Sequence, residues 1–367
     1  MTRIGIIDAD LLDGKSNFPN LALMKISGFN KKCGNDVDLL TSYSEILDYD
    51  LVYVSKVFNF TYSPAWIEKQ FNVVLGGTGF YEDGGLDLPD VIEHSKPDYD
   101  LYKFYVNQQI TAGADPKKFD HYLNYSIGFT TRGCFRKCGF CVNQKYNRAF
   151  SASKPAEFID DSKKKIMLLD DNFLAYSDWE SILNELEATG KPIQFNQGLD
   201  IRLLNARSAE RFARAKTFGD IIFAFDHPED AELIEKKLLL WRSFSKKSTK
   251  LYVLCAYDSQ DEKDIIGIFD RLKIIMKYGC LPYLMRFEAY QQSELKGLYI
   301  TLARWCNQPN FFKKLSFREF CELNQKLKKD QAEIGSSLRA LNDFEGKYPE
   351  IASRLFDMKF ESLKITA

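Results

Sequence analysis

The sequence has no apolar run near the ~20 residues that a membrane-spanning helix needs. Its start, MTRIGIIDAD, lacks the apolar stretch and small-residue cleavage site of a signal peptide, so a cytoplasmic protein is expected. An excess of charge of one sign is also missing. Fifty Lys and Arg face 51 Asp and Glu, for a net charge of −1, which leaves no global field for a nucleic-acid backbone or an anionic membrane surface. No internal repeat or low-complexity tract stands out, and paired C-x-x-C knuckles of the kind that hold structural zinc are absent. What is present is ordinary bulk: 367 residues, 45% of them hydrophobic, enough for about two domains with a substantial core.

Eight cysteines would suit four disulfides in a secreted chain, but their distribution argues otherwise. Cys33, Cys255, Cys280, Cys306 and Cys321 stand singly, mostly among apolar or aromatic neighbours, as buried thiols do. Only Cys134, Cys138 and Cys141 cluster, which points to metal or redox chemistry there.

The pattern predicts an α/β fold. A strand over Arg3 to Asp8, a helix over Leu21 to Lys32 closing at Gly34, and strands at Val37 to Leu40, Leu51 to Ser55 and Val73 to Leu75 make a small Rossmann-like domain over residues 1–110. Gly76 and Gly77 come next, where the backbone can turn sharply or approach a ligand. A stretch rich in Gly, Asp and Pro from Thr78 to about Asp120 reads as the linker. From Tyr125, six strands (Tyr125 to Thr130, Ile166 to Asp170, Ile193 to Gln197, Ile221 to Phe225, Leu251 to Ala256 and Leu281 to Phe287) recur about every thirty residues, with amphipathic helices between them. That alternation predicts a partial (β/α)6 TIM-type barrel over 120–300, with chemistry at the C-terminal strand ends, followed by a helical C-terminal extension over 301–367.

Directly after the first of these strands comes TTRGCFRKCGFCVNQ, a C-x-x-x-C-x-x-C spacing on a loop with two glycines. Three thiolates so close can wrap one face of an iron-sulfur cube, which normally takes four, and so leave one iron open to another ligand. The competing reading is a zinc site with a distant fourth ligand such as His121. This spacing, with the aromatic Phe140 before the third cysteine, resembles the radical S-adenosylmethionine (SAM) superfamily. The resemblance implies a 4Fe-4S cluster on Cys134, Cys138 and Cys141 whose open iron binds SAM. It further implies reductive cleavage of SAM to a 5′-deoxyadenosyl radical that acts on a substrate the sequence does not identify.

The same resemblance suggests residues around SAM. The second barrel strand ends in LLDDNF, like members with an N-terminal cobalamin-binding domain, where others carry a Gly-Gly-Glu motif for the SAM amino group. That role passes to Asp170 and Asp171, against the alternative that Asp and Asn here cap a helix. Gln197 and Arg202 in FNQGLDIRLL, and Asp226 in AFDH, complete the expected SAM-binding set with Phe140. Arg202 suits a carboxylate bidentately, with an ion pair as the alternative. His227 reads as structural, and Arg286 and Glu288 as substrate contacts. In YVLCAYDSQDEKD, Cys255 and Ala256 stand where the family commonly has glycine-containing sequence. Arg132, Arg136, Lys137, Lys145 and Arg148 make the cysteine loop locally positive, suited to a flavodoxin- or ferredoxin-like electron donor or to a solvated surface.

The N-terminal order of elements resembles the cobalamin-binding-like domain that precedes many radical SAM barrels. The D-x-H-x-x-G motif that supplies a lower cobalt ligand is missing, since no His precedes His94, which weighs against cobalamin without excluding it. The single Cys33 there separates the chain from the methylthiotransferases, whose N-terminal domain has three cysteines. Two alternatives stay open: a non-catalytic metal- or iron-sulfur-binding structural or redox-sensing protein, and a nucleic-acid-modifying radical SAM enzyme. The stretch ARWCNQPNFFKK could stack on bases, or pack Trp305, Phe311 and Phe312 as core.

Overall fold

A computed structural model describes residues 1–14, 16–81, 85–330 and 332–365. Glu82 to Gly84 of the predicted linker, and Gln331, Thr366 and Ala367 of the predicted tail, lie outside the described residues. The chain divides into two compact units, Met1–Asn196 and Gln197–Ala367, a boundary inside the stretch that the sequence assigns to one barrel.

The first unit opens with a parallel sheet of β1 (Arg3–Asp8), β2 (Asp36–Leu39), β3 (Leu51–Ser55) and β4 (Val73–Gly76), in the order β2-β1-β3-β4. β1 reads as an unbroken apolar run because it lies inside a covered parallel sheet. Helix α1 (Leu21–Lys32) makes the crossover from β1 to β2 and buries Leu23, Met24 and Ile26 against Ile4 and Ile6. The segment expected as linker is structured: α2 (Lys103–Thr111) packs Val106 into this core, with Leu101 and Tyr102 buried just before it. Its periodicity is weak in sequence because Val106 is the one fully buried residue of the helix.

Tyr99 ties this region to the next sheet of the unit. Its hydroxyl accepts from Ile127 N at 2.9 Å and donates to Phe158 O at 2.7 Å. That second parallel sheet contains β5 (Tyr125–Gly128), β6 (Lys165–Leu168) and β7 (Ile193–Phe195) in that order. Gly128 pairs with Leu168, so the residues beyond each strand, the cysteine loop and the LDDN segment, leave the sheet side by side.

In the second unit β8 (Ile221–Ala224), β9 (Thr249–Cys255) and β10 (Leu281–Arg286) form a three-stranded parallel sheet, with Leu199 bridged to Phe223. All six predicted βα strands are present, slightly shorter than predicted at their C-terminal ends. Helices α3 (Trp179–Ala188), α4 (Ala206–Arg214), α5 (Ala231–Phe244) and α6 (Glu262–Lys277) match the amphipathic stretches. The tail adds α7 (Lys296–Cys306), α8 (Phe317–Lys326) and α9 (Ser336–Lys347). Trp305 and Phe312 are wholly buried with ring centroids 4.9 Å apart, so this aromatic stretch is core rather than a stacking surface. No described helix is long and apolar enough to cross a membrane.

Candidate iron-sulfur and SAM site

The cysteine loop springs from a closed base. Thr131–Arg132 pairs antiparallel with Phe150–Ser151, and Ala152 N donates to Thr130 O at 2.9 Å. Gly133 then turns with φ +82°, and a Cβ there would stand 2.4 Å from Arg148 O, so both conformation and space demand glycine. Within the loop, Lys137 Nζ donates to Gln144 O at 2.6 Å and to Tyr146 O at 2.5 Å. Gln144 Nε2 returns bonds to Cys138 O and Cys141 O. Lys145 pairs with Asp87 at 2.7 Å and Arg132 with Glu93 at 3.2 Å, so Lys137, Lys145 and Arg132 of the expected loop cations are engaged in structure.

No disulfide joins any of the eight cysteines, and the three in the loop are half-buried. Their sulfurs meet N–H donors. Arg136 N lies 3.4 Å from Cys134 Sγ, Asn143 N 3.4 Å from Cys141 Sγ, and Asn172 Nδ2 3.2 Å from Cys134 Sγ. N–H donors aimed at sulfur stabilise thiolates and the sulfurs of iron-sulfur clusters, so the donor set fits a cluster. Among the described residues no three His, Cys, Asp or Glu side chains converge to hold a single metal ion. His121, the fourth ligand of the zinc reading, is packed between the rings of Phe18 and Tyr125, each 5.1 Å away. A cube binds each cysteine through a different iron and does not ask the thiols to meet at one point.

The LDDN segment holds the loop. Asp170 is 4% exposed and accepts from Thr130 N at 2.7 Å, from the Thr130 hydroxyl, and from Thr131 Oγ1 at 3.2 Å. Asp171 accepts from Gly133 N at 2.6 Å and from Asn143 Nδ2 at 2.7 Å, clamping both ends of the cysteine stretch. The two carboxylates expected to receive the SAM amino group are thus engaged with the loop itself. Neither Asn172 nor Asp178 makes a side-chain cap, so the helix-cap alternative has no support here. Phe140 is half-buried within the loop.

These bonds predict what Asp171→Ala does. Hydrogen bonds to a charged acceptor contribute roughly 1.5–3 kcal/mol each, so losing two frees the loop at both ends. We expect iron and sulfide per chain after reconstitution to fall at least several-fold, and a chelator to strip what remains faster. A ligand role for Asp171 alone would leave iron loading intact and remove only the response to SAM.

The remaining expected residues belong to the second unit. Arg202 is committed to acids: Nε donates to Asp200 Oδ1 and NH1 to Asp230 Oδ2, both at 2.8 Å, which is the ion-pair alternative rather than a fork open to a ligand. Asp226 follows β8, and its Oδ1 is buried without a hydrogen-bond partner among the described residues. Burial pushes its carboxyl up to about 6 despite the pull of His227, Arg271 and Arg202. Gln197 is exposed, as are Arg286 and Glu288 at the end of β10. His227 lies 3.8 Å from Glu229 and 3.9 Å from Asp258. At the end of β9, Ala256 adopts φ +59°, the conformation glycine normally takes, so a glycine-like backbone shape is kept without glycine.

Sequence reading missed several of these roles. Asn172 was legible as a rim residue but not as a sulfur donor. Asn143 and Gln144 come two and three residues after the third cysteine, and that position was their only signal.

Burial also raises Asp8 and Asp170 to about 6 from 3.8. Asp8, Asp170 and Asp226 each bind a proton more tightly folded than unfolded, so folding takes up protons between about pH 4 and 6. Stability therefore rises as pH falls through 6, by on the order of 1 kcal/mol per group between pH 7 and 5. His121, whose proton affinity burial lowers, opposes them. The urea midpoint of the cluster-free protein should be higher at pH 5.5 than at 7.5, and a lower midpoint at 5.5 would contradict this balance.

No protein-family model matches the chain, and no curated protein matches it. Solved structures do. Radical S-adenosylmethionine methyltransferase TsrM from Kitasatospora setae, with cobalamin and a 4Fe-4S cluster bound, aligns with a TM-score of 0.51 at 13% identity over 78% of this chain and 75% of that one. The same protein with tryptophan substrate and the SAM analogue aza-SAM aligns with 0.51 at 13% over 77% and 73%. At that identity the likeness is one of fold. In motif and fold the chain resembles the radical SAM proteins that carry an N-terminal cobalamin-binding-like domain.

A cobalamin would be sought at the parallel sheet of the first unit. In a sheet of order β2-β1-β3-β4 ligands bind beyond the C-terminal ends of β1 and β3. There Asn20 Nδ2 donates to Ser55 Oγ at 2.9 Å, Tyr102 donates to Asp8 at 2.8 Å, and Asp10 accepts from Val57 N and from the Thr61 hydroxyl. Gly77 turns with φ +94°, and its Cβ would lie 2.4 Å from Lys56 O, so its close approach is to its own chain. His94 is paired with Glu157 at 2.9 Å. These polar groups are bonded to one another, while Phe58, Phe60 and Tyr62 next to them are exposed, and the chemistry proposed for the cysteine loop does not depend on cobalamin.

Proposed function

We propose that the chain is a radical SAM enzyme in which Cys134, Cys138 and Cys141 hold a 4Fe-4S cluster with one iron left to SAM. The observation that carries this reading is the loop: half-buried thiols with N–H donors on sulfur, clamped at both ends by Asp171. When bound, the cluster would supply the electron that cleaves SAM to methionine and a 5′-deoxyadenosyl radical. The chain's residues orient and hold. Asp170 and Asp171 fix the loop, Lys137 and Gln144 fold it, and Phe140 stands half-buried beside the third cysteine in sequence. Asp226, with a buried oxygen that meets no donor, and the exposed Gln197 are left for SAM or for the substrate. The order of six βα units and the fold likeness support a partial (β/α)6 barrel as the scaffold. A flavodoxin- or ferredoxin-like protein is the proposed electron source, and the cytoplasm the proposed location.

Anaerobic reconstitution with iron and sulfide, reduction, and addition of SAM test the proposal. Formation of 5′-deoxyadenosine, with a SAM-dependent change in the cluster's spectrum, is the expected result. A loaded cluster with neither signal would leave the non-catalytic redox or structural reading standing.

A further inference from the structure

We infer that Asn172 sets the reduction potential of the cluster by donating its side-chain N–H to Cys134 Sγ. This role rests on the cluster proposed for Cys134, Cys138 and Cys141.

Asn172 is the last residue of the LDDN segment beyond β6. Its place is fixed from below: Leu169 N donates to Gly128 O at 3.0 Å, and Asp170 and Asp171 are bonded to residues 130–133 and 143. The side chain is 4% exposed, and its Nδ2 lies 3.2 Å from Cys134 Sγ. Its Oδ1 is buried and has no hydrogen-bond partner among the described residues, so this amide is engaged through its nitrogen, with sulfur. The opposite orientation would set a carbonyl oxygen against the sulfur, two electron-rich atoms, whereas the orientation seen presents a donor to it.

The consequence is electrostatic. Reduction adds one electron to the cluster and its charge spreads onto the coordinating sulfurs. A donor N–H held against one of those sulfurs stabilises the reduced state more than the oxidised one and raises the potential. Low exposure strengthens the effect, since little water competes or screens. Cys134 also accepts from Arg136 N at 3.4 Å, but that backbone donor cannot be removed by a side-chain change. Asn172 is thus the adjustable donor, a positioning and tuning residue rather than a catalytic one.

Asn172→Leu keeps the volume and removes the donor, and Asn172→Ala removes it with less bulk. Both variants and the wild type are reconstituted, their iron and sulfide are counted, and the cluster's midpoint is measured by an EPR-monitored redox titration without SAM. At a fixed applied potential the ratio of reduced to oxidised cluster should fall about tenfold in each variant, a shift of about 59 mV to lower potential for a one-electron couple. Equal loading with an unchanged midpoint overturns the inference. Failure of both variants to hold iron overturns it too, by making Asn172 a strut of the loop. A wild-type protein that forms no cluster removes the functional reading itself, a result visible before any variant is compared.

Discussion

Cys138→Ala is expected to abolish 5′-deoxyadenosine formation and to leave no stable 4Fe-4S cluster. Three thiolates are the minimum that keeps a cube in place while one iron stays open, so removing one leaves two corners exposed to solvent and exogenous ligands. The rest of the loop should survive. Its fold depends on bonds that do not involve the Cys138 sulfur: Lys137 and Gln144 to loop carbonyls, Asp171 to Gly133 and Asn143, and the antiparallel base at residues 131–132 and 150–151. Near-ultraviolet circular dichroism and the urea midpoint of the cluster-free variant should therefore match those of the cluster-free wild type. Iron per chain should drop to background, and SAM should then produce no spectral change. If Cys138→Ala still loads four irons and cleaves SAM, the three-cysteine assignment is wrong. The matched cluster-free comparison separates that result from simple misfolding, because the bonds that organise the loop do not involve the Cys138 sulfur.

That organisation explains what could and could not be read in the sequence. The strands were legible because each is an apolar run several residues long bounded by turn residues, and β1, α1 and β3 fall where the pattern places them. The cysteine spacing was legible because chemistry constrains it directly. Roles that depend on where a side chain turns were not legible. Asp170 and Asp171 at a strand end fit a ligand, a helix cap or a strut equally well in one dimension. Only the pairing of Gly128 with Leu168 brings them beside Thr130 and Gly133. Arg202 likewise reads as a fork for a carboxylate, and two nearby carboxylates of the protein, Asp200 and Asp230, fill it. The region 78–120 was misread for a different reason. It contributes single buried residues such as Tyr102 and Val106 rather than a stripe, and its contact with Asp8 is 94 positions away in sequence.

The same blindness hid Arg271, whose replacement should have the largest effect on the stability of the second unit. In the stretch EKDIIGIFDRLKIIMK an arginine reads as the solvent face of a helix. It is instead 1% exposed and serves the C-terminal ends of two neighbouring strands. Its NH1 group donates to Asp226 O at 2.7 Å, Leu254 O at 2.8 Å and Phe225 O at 3.2 Å, while Nε donates to Gly267 O at 3.0 Å. Asp264 stands 4.0 Å from its NH2 and accepts from Ala256 N at 2.6 Å. One guanidinium thereby gathers the carbonyls at the ends of β8 and β9, and a carboxylate beside it holds Ala256 in its left-handed turn. Arg271→Met fills most of the volume but strands those carbonyls and leaves Asp226 and Asp264 without their buried cation. Breaking a buried pair from one side costs about 3–5 kcal/mol. Urea unfolding followed by Trp241 and Trp305 in α5 and α7, with Trp66 and Trp179 changed to Phe, reports this unit separately. The unfolding free energy should fall by that amount at pH 7.5. Burial already raises the proton affinity of both carboxyls, and loss of the cation raises it further. Protonation then relieves the stranded charges, so the deficit of Arg271→Met should shrink as pH falls through about 6. A deficit below about 1 kcal/mol at pH 7.5, or one that grows on acidification, would show that the strand ends are held by something other than this buried cation.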